Sequence, residues 1–128
     1  MAFASMPRTA PILVPILSVA AALAKGTTEI IHAERLRLKE CDRLKAMASE
    51  LTKMGAHIEE RPDGLIIRGV PMLHGAGADS WNDHRVAMSL AIAATRSDGP
   101  VILTGSESVQ KSYPQFWQDY ESLGGKIK

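Results

Sequence analysis

The chain has 128 residues, 45% of them apolar, which is enough for one domain with a buried core and argues against intrinsic disorder. A formal net charge of +1, from 15 basic and 14 acidic residues, leaves no global field to draw it onto nucleic acid or an anionic membrane, so any anion chemistry must be local. The single cysteine, Cys41, cannot form an internal disulfide and no Cys/His spacing resembles a metal site, so a reducing, cytoplasmic compartment is the simpler reading.

Residues 1–10, "MAFASMPRTA", show no period and read as a ragged or engineered start, which leaves 11–128 as the folded part. Arg8 followed by "APILVPILSVAAALA" has roughly a signal-peptide layout, but Pro11 and Pro15 interrupt the apolar run, and it is shorter than the about 20 residues a membrane span takes. A core helix beginning near Leu13, with Pro15 in its first turn and Gly26 just past its end, fits better. "GTTEIIHA" (Gly26 to Ala33) then reads as a strand that continues in alternation through "RLRLKE", with Leu36 and Leu38 facing one way and Arg35, Arg37 and Lys39 the other.

From Asp42 to Met54 the period becomes helical, because Leu44, Met47, Ala48, Leu51 and Met54 share one face and Gly55 follows as a stop. "HIEERPDGLIIRG" carries two short runs separated by Pro62, Asp63 and Gly64, a hairpin signal. "VPMLHGAGADS" reads as a Gly-rich loop leading into "WNDHRVAMSLAIAA", whose apolar stretch Val86–Ala94 predicts a helix with no solvated face. Gly99 to Gly105 is a further predicted strand, Ser112 to Leu123 a last helix, and "GGKIK" a short final strand. The order contains an echo: "GTTEII", a polar loop and a helix ending "LTKMGAHIE" are matched by "GPVILTG", a polar loop and a helix ending "YESLGGKIK". Two copies of one supersecondary unit present equivalent loops on the same side.

Charge gathers at three junctions, "RLKECDRL", "WNDHRVAM" and "SVQKSYP". Taken singly each has an ordinary explanation. Lys39 and Arg43 lie four apart on one exposed helix face, Glu40 and Asp42 suit a first turn, Asn82 suits an N-cap with Asp83 as a first-turn acid, and Lys111 is a loop lysine. Arg85 fits that account least well, because a guanidinium at the mouth of an apolar helix needs an anion or water. Together the clusters describe an anion-substrate site. The guanidinium groups of Arg43 and Arg85 suit a planar carboxylate, Lys111 suits a phosphate, helix N-termini add backbone donors, and Lys39 and Glu40 are candidates for proton transfer or for orienting a hydroxyl. No phosphate-binding glycine loop, nucleotide fingerprint or Ser-His-Asp set competes; "GAGADS" matches neither glycine spacing.

These segments resemble the EPSP synthase (3-phosphoshikimate 1-carboxyvinyltransferase) family. "LKECDR" is similar to its Lys-Glu-Ser/Thr-Asp-Arg motif, "WNDHRVAM" to its Asn-Asp-His-Arg-x-Ala-Met motif, and "QKSYP" to its Lys-Ser/Thr-Phe/Tyr-Pro motif, in the family's order. The resemblance runs from about Leu13 to the end of the chain and corresponds to roughly the last third of a family member. It implies an α+β fold of βαβαββ units, here part of one domain of an inside-out α/β barrel. It also implies transfer of the enolpyruvyl group of phosphoenolpyruvate to the 5-hydroxyl of shikimate 3-phosphate, through a tetrahedral intermediate and without metal or organic cofactor.

By motif, Arg43 and Arg85 would bind the phosphoenolpyruvate carboxylate, Lys111 its phosphate, and Lys39 the shikimate ring hydroxyls. Glu40 would take part in proton transfer, with Asp83 and His84 in support. The herbicide glyphosate would compete at the same site. Cys41 stands where the family has Ser or Thr, and Ile12 where it has a proton-accepting Asp. With much of the site contributed by sequence the chain lacks, the isolated chain is expected to be inactive. The competing expectation is a non-catalytic module that binds small anions and self-associates through uncovered surface. The related enolpyruvyltransferase acting on UDP-N-acetylglucosamine is disfavoured by "LKECDR" and "NDHR".

Overall fold

The computed structural model describes residues 2–5 and 13–128; the expectations resting on Arg8, Pro11 and Ile12 lie outside the described residues. The chain forms β1 (Ala2–Ser5), α1 (Val14–Leu23), β2 (Thr27–Ile31), a 3-10 helix (Glu34–Leu38), α2 (Arg43–Lys53), β3 (His57–Arg61) and β4 (Gly64–Arg68). It continues through β5 (Gly77–Asp79), α3 (His84–Ala94), β6 (Ile102–Thr104), a second 3-10 helix (Ser106–Lys111) and α4 (Phe116–Ser122).

Two sheets result. The first has the order β1-β2-β4-β3, with β1 parallel to β2 across the α1 crossover and the β3–β4 hairpin closing antiparallel onto β2 in the register Thr28↔Ile67 and Ile30↔Leu65. The second has β5 parallel to β6 across α3, Asp79 opposite Thr104. The first set is therefore one whole βαβαββ unit, and β5-α3-β6-α4 repeats its first four elements. A further sign of the repeat is that α2 and α4 are each followed by a left-handed glycine, Gly55 at φ +92° and Gly124 at φ +107°. The fold is mixed α and β, as expected.

Helix α2 shows why the sequence folds locally as it does. Asp42 caps it by accepting a bond from the Lys45 amide at 3.0 Å, and Leu44, Met47 and Leu51 on its apolar face are fully buried. Gly55 ends it where a side chain would strain at φ +92° and a Cβ would stand 2.6 Å from the His74 ring. Ile30, Leu65 and Ile67 from the sheet, Leu36 and Leu73 from connections and Leu90 of α3 complete the principal core.

Several expectations are corrected. Ala2–Ser5 form a strand where the sequence shows no period, because parallel pairing with β2 decides it. "RLRL" is not strand: after His32 at φ +57° the chain winds into a 3-10 helix that buries Leu36 and leaves Leu38 87% exposed. The antiparallel pairing of β2 stops at Ile30, and Arg37 replaces a ladder by bonding the Pro62 and Arg61 carbonyls at 2.9 and 2.6 Å and the Asp42 and Glu60 carboxylates at 2.8 and 2.7 Å.

The Gly-rich loop contains β5. The last helix begins at Phe116 rather than Ser112, since Pro114 disfavours helical backbone at Tyr113. Residues 125–128 form no strand, because the partner that β4 gives β3 has no counterpart among the described residues. Helix α3 is not buried all round either: Arg85, Met88, Ser89 and Ile92 line a shallow pocket of about 170 Å³ with Leu13 and Ile16 of the α1 region.

Candidate active site

The polar clusters meet at the turn between β5 and α3. Asp83, fully buried, is the N-cap of α3, the place expected for Asn82; its Oδ1 accepts from the Arg85 amide at 2.8 Å and the Val86 amide at 3.4 Å. Arg43, the first residue of α2 and 2% exposed, donates through Nε to Asp83 Oδ2 at 2.9 Å and through Nη2 to both Asp83 Oδ1 and Glu40 Oε2. The helix starts of α2 and α3 are thus locked together by one guanidinium between two carboxylates. His84 Nε2 lies 3.8 Å from Glu40 Oε2, and its Nδ1 bonds the Ser112 hydroxyl. Lys111, at the end of the second 3-10 helix, donates to the Asn82 carbonyl at 2.5 Å.

Glu40, Arg43, Asp83, His84 and Lys111 are therefore gathered at one turn. Arg85 lies beside them in the α1–α3 pocket, and among the described residues its guanidinium has no ion pair or side-chain hydrogen bond. Lys39 stands exposed at the end of the first 3-10 helix, next to Glu40 and outside the bonded cluster.

Electrostatics follow from these contacts. Burial pushes the Asp83 carboxyl up, but the hydrogen bonds and charge of Arg43 outweigh it and hold the group below its ordinary range. Burial and then the Arg85 charge lower the pKa of His84, so its imidazole is neutral at pH 7 and orients neighbours rather than adding charge. Cys41 donates to Asp83 Oδ2 at 3.3 Å, and burial followed by the Asp83 charge pushes its thiol up to about 12. Glu40, Asp83 and His84 bring ligand atoms within 4.8 Å of one another, yet a cation there would compete with Arg43, which already bonds both Asp83 oxygens and Glu40 Oε2.

Sequence reasoning missed the groups that hold the turn. Trp81 and Asn82 both have left-handed backbone, at φ +57° and +51°, a conformation that costs about 1–3 kcal/mol per residue for non-glycine side chains. It is held by Glu50, buried on α2, whose carboxylate accepts from the Asp79 amide at 2.8 Å and the Trp81 indole at 2.9 Å. On the other side Ser80 bonds the carbonyls of Thr104 and Gly105, and Gly105 admits that approach because a Cβ there would stand 2.2 Å from the Ser80 hydroxyl. The one available signal was an acid seven residues after Arg43, hence on the same face of an otherwise apolar helix stripe.

A turn that gathers Arg43, His84 and Lys111 between two helix N-termini, carried on one whole βαβαββ unit and part of a second, defines the class as a mixed α and β module of repeated units. Comparison with known proteins narrows it. The EPSP synthase (3-phosphoshikimate 1-carboxyvinyltransferase) family model matches residues 4–120. The 3-phosphoshikimate 1-carboxyvinyltransferase of Clostridium novyi (strain NT) is 61% identical over 117 residues, covering 91% of this chain and 27% of the relative, and that of Clostridioides difficile (strain 630) is 56% identical over 119 residues, with the same coverage. A solved EPSP synthase from Acinetobacter baumannii superposes with a TM-score of 0.87 at 34% identity, covering 100% of this chain and 31% of that one. The chain belongs to the EPSP synthase family, and it spans 27% of the length of the curated relatives just named.

Proposed function

We propose that this chain carries the phosphoenolpyruvate side of a 3-phosphoshikimate 1-carboxyvinyltransferase site, residues 11–128 together with β1 forming part of one domain. The observation that carries the reading is the convergence of Glu40, Arg43, Asp83, His84 and Lys111 on one turn in a chain of this family. Arg43, held by Asp83 and Glu40, and Arg85, whose guanidinium has no ion pair among the described residues, take the substrate carboxylate, and Lys111 exchanges the Asn82 carbonyl for phosphate.

In the reaction, the 5-hydroxyl of shikimate 3-phosphate gives up its proton to a base as its oxygen bonds to C2 of phosphoenolpyruvate. The methylene carbon of phosphoenolpyruvate gains a proton from an acid, so that the O–H and the C=C π bond break as the C–O and C–H bonds form. Loss of that carbon's proton with departure of phosphate then leaves the enolpyruvyl ether. Glu40, at the exposed edge of the cluster, is the group placed to move a proton, with Lys39 beside it toward the shikimate hydroxyls. The setting is the shikimate pathway of aromatic amino acid biosynthesis, glyphosate is a competitor at the phosphoenolpyruvate position, and the compartment is cytoplasmic; among the described residues no helix is long and apolar enough to cross a membrane.

The test is phosphate release from phosphoenolpyruvate and shikimate 3-phosphate, by the chain alone and with the rest of a relative's polypeptide supplied separately. Release is expected only in the second case, and complementation by a chain carrying both Arg85→Ala and Lys111→Ala at the unsubstituted rate overturns the assignment. A compatible second reading, favoured by Leu13, Ile16 and Ile92 at 47%, 37% and 41% exposure, is that the isolated chain binds small anions without turnover and self-associates. Sedimentation across a concentration series checks it, a constant monomer mass being the contrary result.

A further inference from the structure

Helix α2 grips the site turn at two points. At its start Arg43 holds Asp83; two turns later, about 10 Å along the axis, Glu50 holds Asp79 and Trp81. The two left-handed residues, Trp81 and Asn82, lie between the grips, and the carbonyl of Asn82 is the acceptor that fixes the Lys111 ammonium. Glu50 is 2% exposed, and each of its acceptor oxygens is used: Oε1 by the Asp79 amide and Lys53 Nζ, Oε2 by the Trp81 indole and Lys53 Nζ, with the lysine bonds at 2.9 and 3.2 Å. A buried carboxylate with these partners adds nothing to the apolar face of α2 that a Leu or Met would not. Apart from the two bonds from Lys53 on its own helix, its bonds serve the placing of the turn.

We propose that Glu50 is a positioning residue for anion binding: through the Asp79 amide and the Trp81 indole it holds the strained Trp81–Asn82 turn, and through the Asn82 carbonyl it sets where Lys111 waits for a phosphate group. The role of Lys111 in this chain of contacts rests on the anion-site reading above; the control of the turn by Glu50 does not.

Glu50→Gln keeps the shape but offers one acceptor oxygen and an NH2, so one of the two grips must face a donor with a donor. In the full chain, calorimetric titration with phosphoenolpyruvate is expected to show an affinity loss of about tenfold, the scale of one bond to a charged group. Pyruvate, which lacks the phosphate, is expected to bind as before. The double variant E50Q/K111A is expected to bind phosphoenolpyruvate no more weakly than K111A alone, because both act along one path; independent, multiplying losses would mean a merely structural effect and would overturn the proposal.

Backbone 1H–15N spectra separate this from the wider reading. Glu50→Gln is expected to shift the Trp81 indole and the Asn82 and Asp83 amides while Ile67 of β4 stays in place, whether or not any anion binds. Trp81→Phe, which removes the indole donor along with part of a ring packed on the core, reproduces the Asn82 and Asp83 shifts and decides the matter should Glu50→Gln fail to fold. Unmoved Asn82 and Asp83 amides sink the role of Glu50. A wild-type chain that ignores phosphoenolpyruvate while those amides move sinks the anion-site reading and limits Glu50 to control of the turn.

Discussion

Among single residues, Asp83 concentrates the most consequence. It caps α3, balances Arg43 and accepts from Cys41, so Asp83→Asn leaves a buried guanidinium facing Glu40 alone and is expected to cost about 3–5 kcal/mol in urea unfolding. Both depressed groups at the site act in the same direction with pH. His84 favours the neutral form in the folded chain, so its contribution is full above the ordinary value of 6.5 and is lost as pH falls through its lower folded value. Asp83 contributes fully above 3.8 and loses that contribution as pH falls through a value lower still. The urea midpoint should therefore decline on acidification below about pH 6.5 and again below about pH 4, and a midpoint that rises over either range contradicts the assignments. Cys41, with its thiol near 12, should hold about a thousandfold less thiolate at neutral pH than an ordinary cysteine of pKa about 8.5–9. Mass spectrometry after iodoacetamide treatment should find it unmodified in the folded chain and alkylated in urea.

At the level of elements, the long helices were legible and the short connections were not. The span and stop of α2 follow from its period and its glycine, both local signals, while Asp42, read as a first-turn acid, proves to be its N-cap. "RLRLKE" has the alternation of a strand, yet the four bonds from Arg37 to the β3–β4 turn and to the Asp42 cap make a 3-10 helix the better use of it. Arg37→Ala should lower stability by about 1–2 kcal/mol, discounted for the partial exposure of its ion pairs, and Arg37→Lys should recover little, since one ammonium cannot satisfy four divergent acceptors. Equal denaturant midpoints for the unsubstituted chain and the Arg37→Ala variant would show that the strand-to-helix change has another cause. The clustered polar residues were readable because they sit in three contiguous motifs at element junctions. Glu50 was not, because it acts across the fold on residues distant in sequence.

Across the whole molecule, the two units are unequally complete. β2 has a strand on each edge, whereas β6 is paired only with β5 among the described residues, and Ile102 on it is 69% exposed. Amide exchange should accordingly be much slower at Ile30 and Ile67 than at Ile102–Thr104, and supplying the remainder of a relative's polypeptide should slow the latter. Equal protection in the isolated chain would show that β6 finds a second neighbour by itself, a second copy being the readiest source.

The sequence by itself determined the composition class, the principal helices, the hairpin, the echo between two units and the motifs that name the family. Those are local patterns of period, cap and turn chemistry, and a chain carries them before it folds. Only the tertiary structure decided that Ala2–Ser5 is a strand, that Arg37 winds its segment, that Arg43 is already paired with Asp83, and that Glu50 reaches across to hold Trp81. Each of these is a bond between residues far apart in sequence, whose strength depends on burial and geometry that no local window contains.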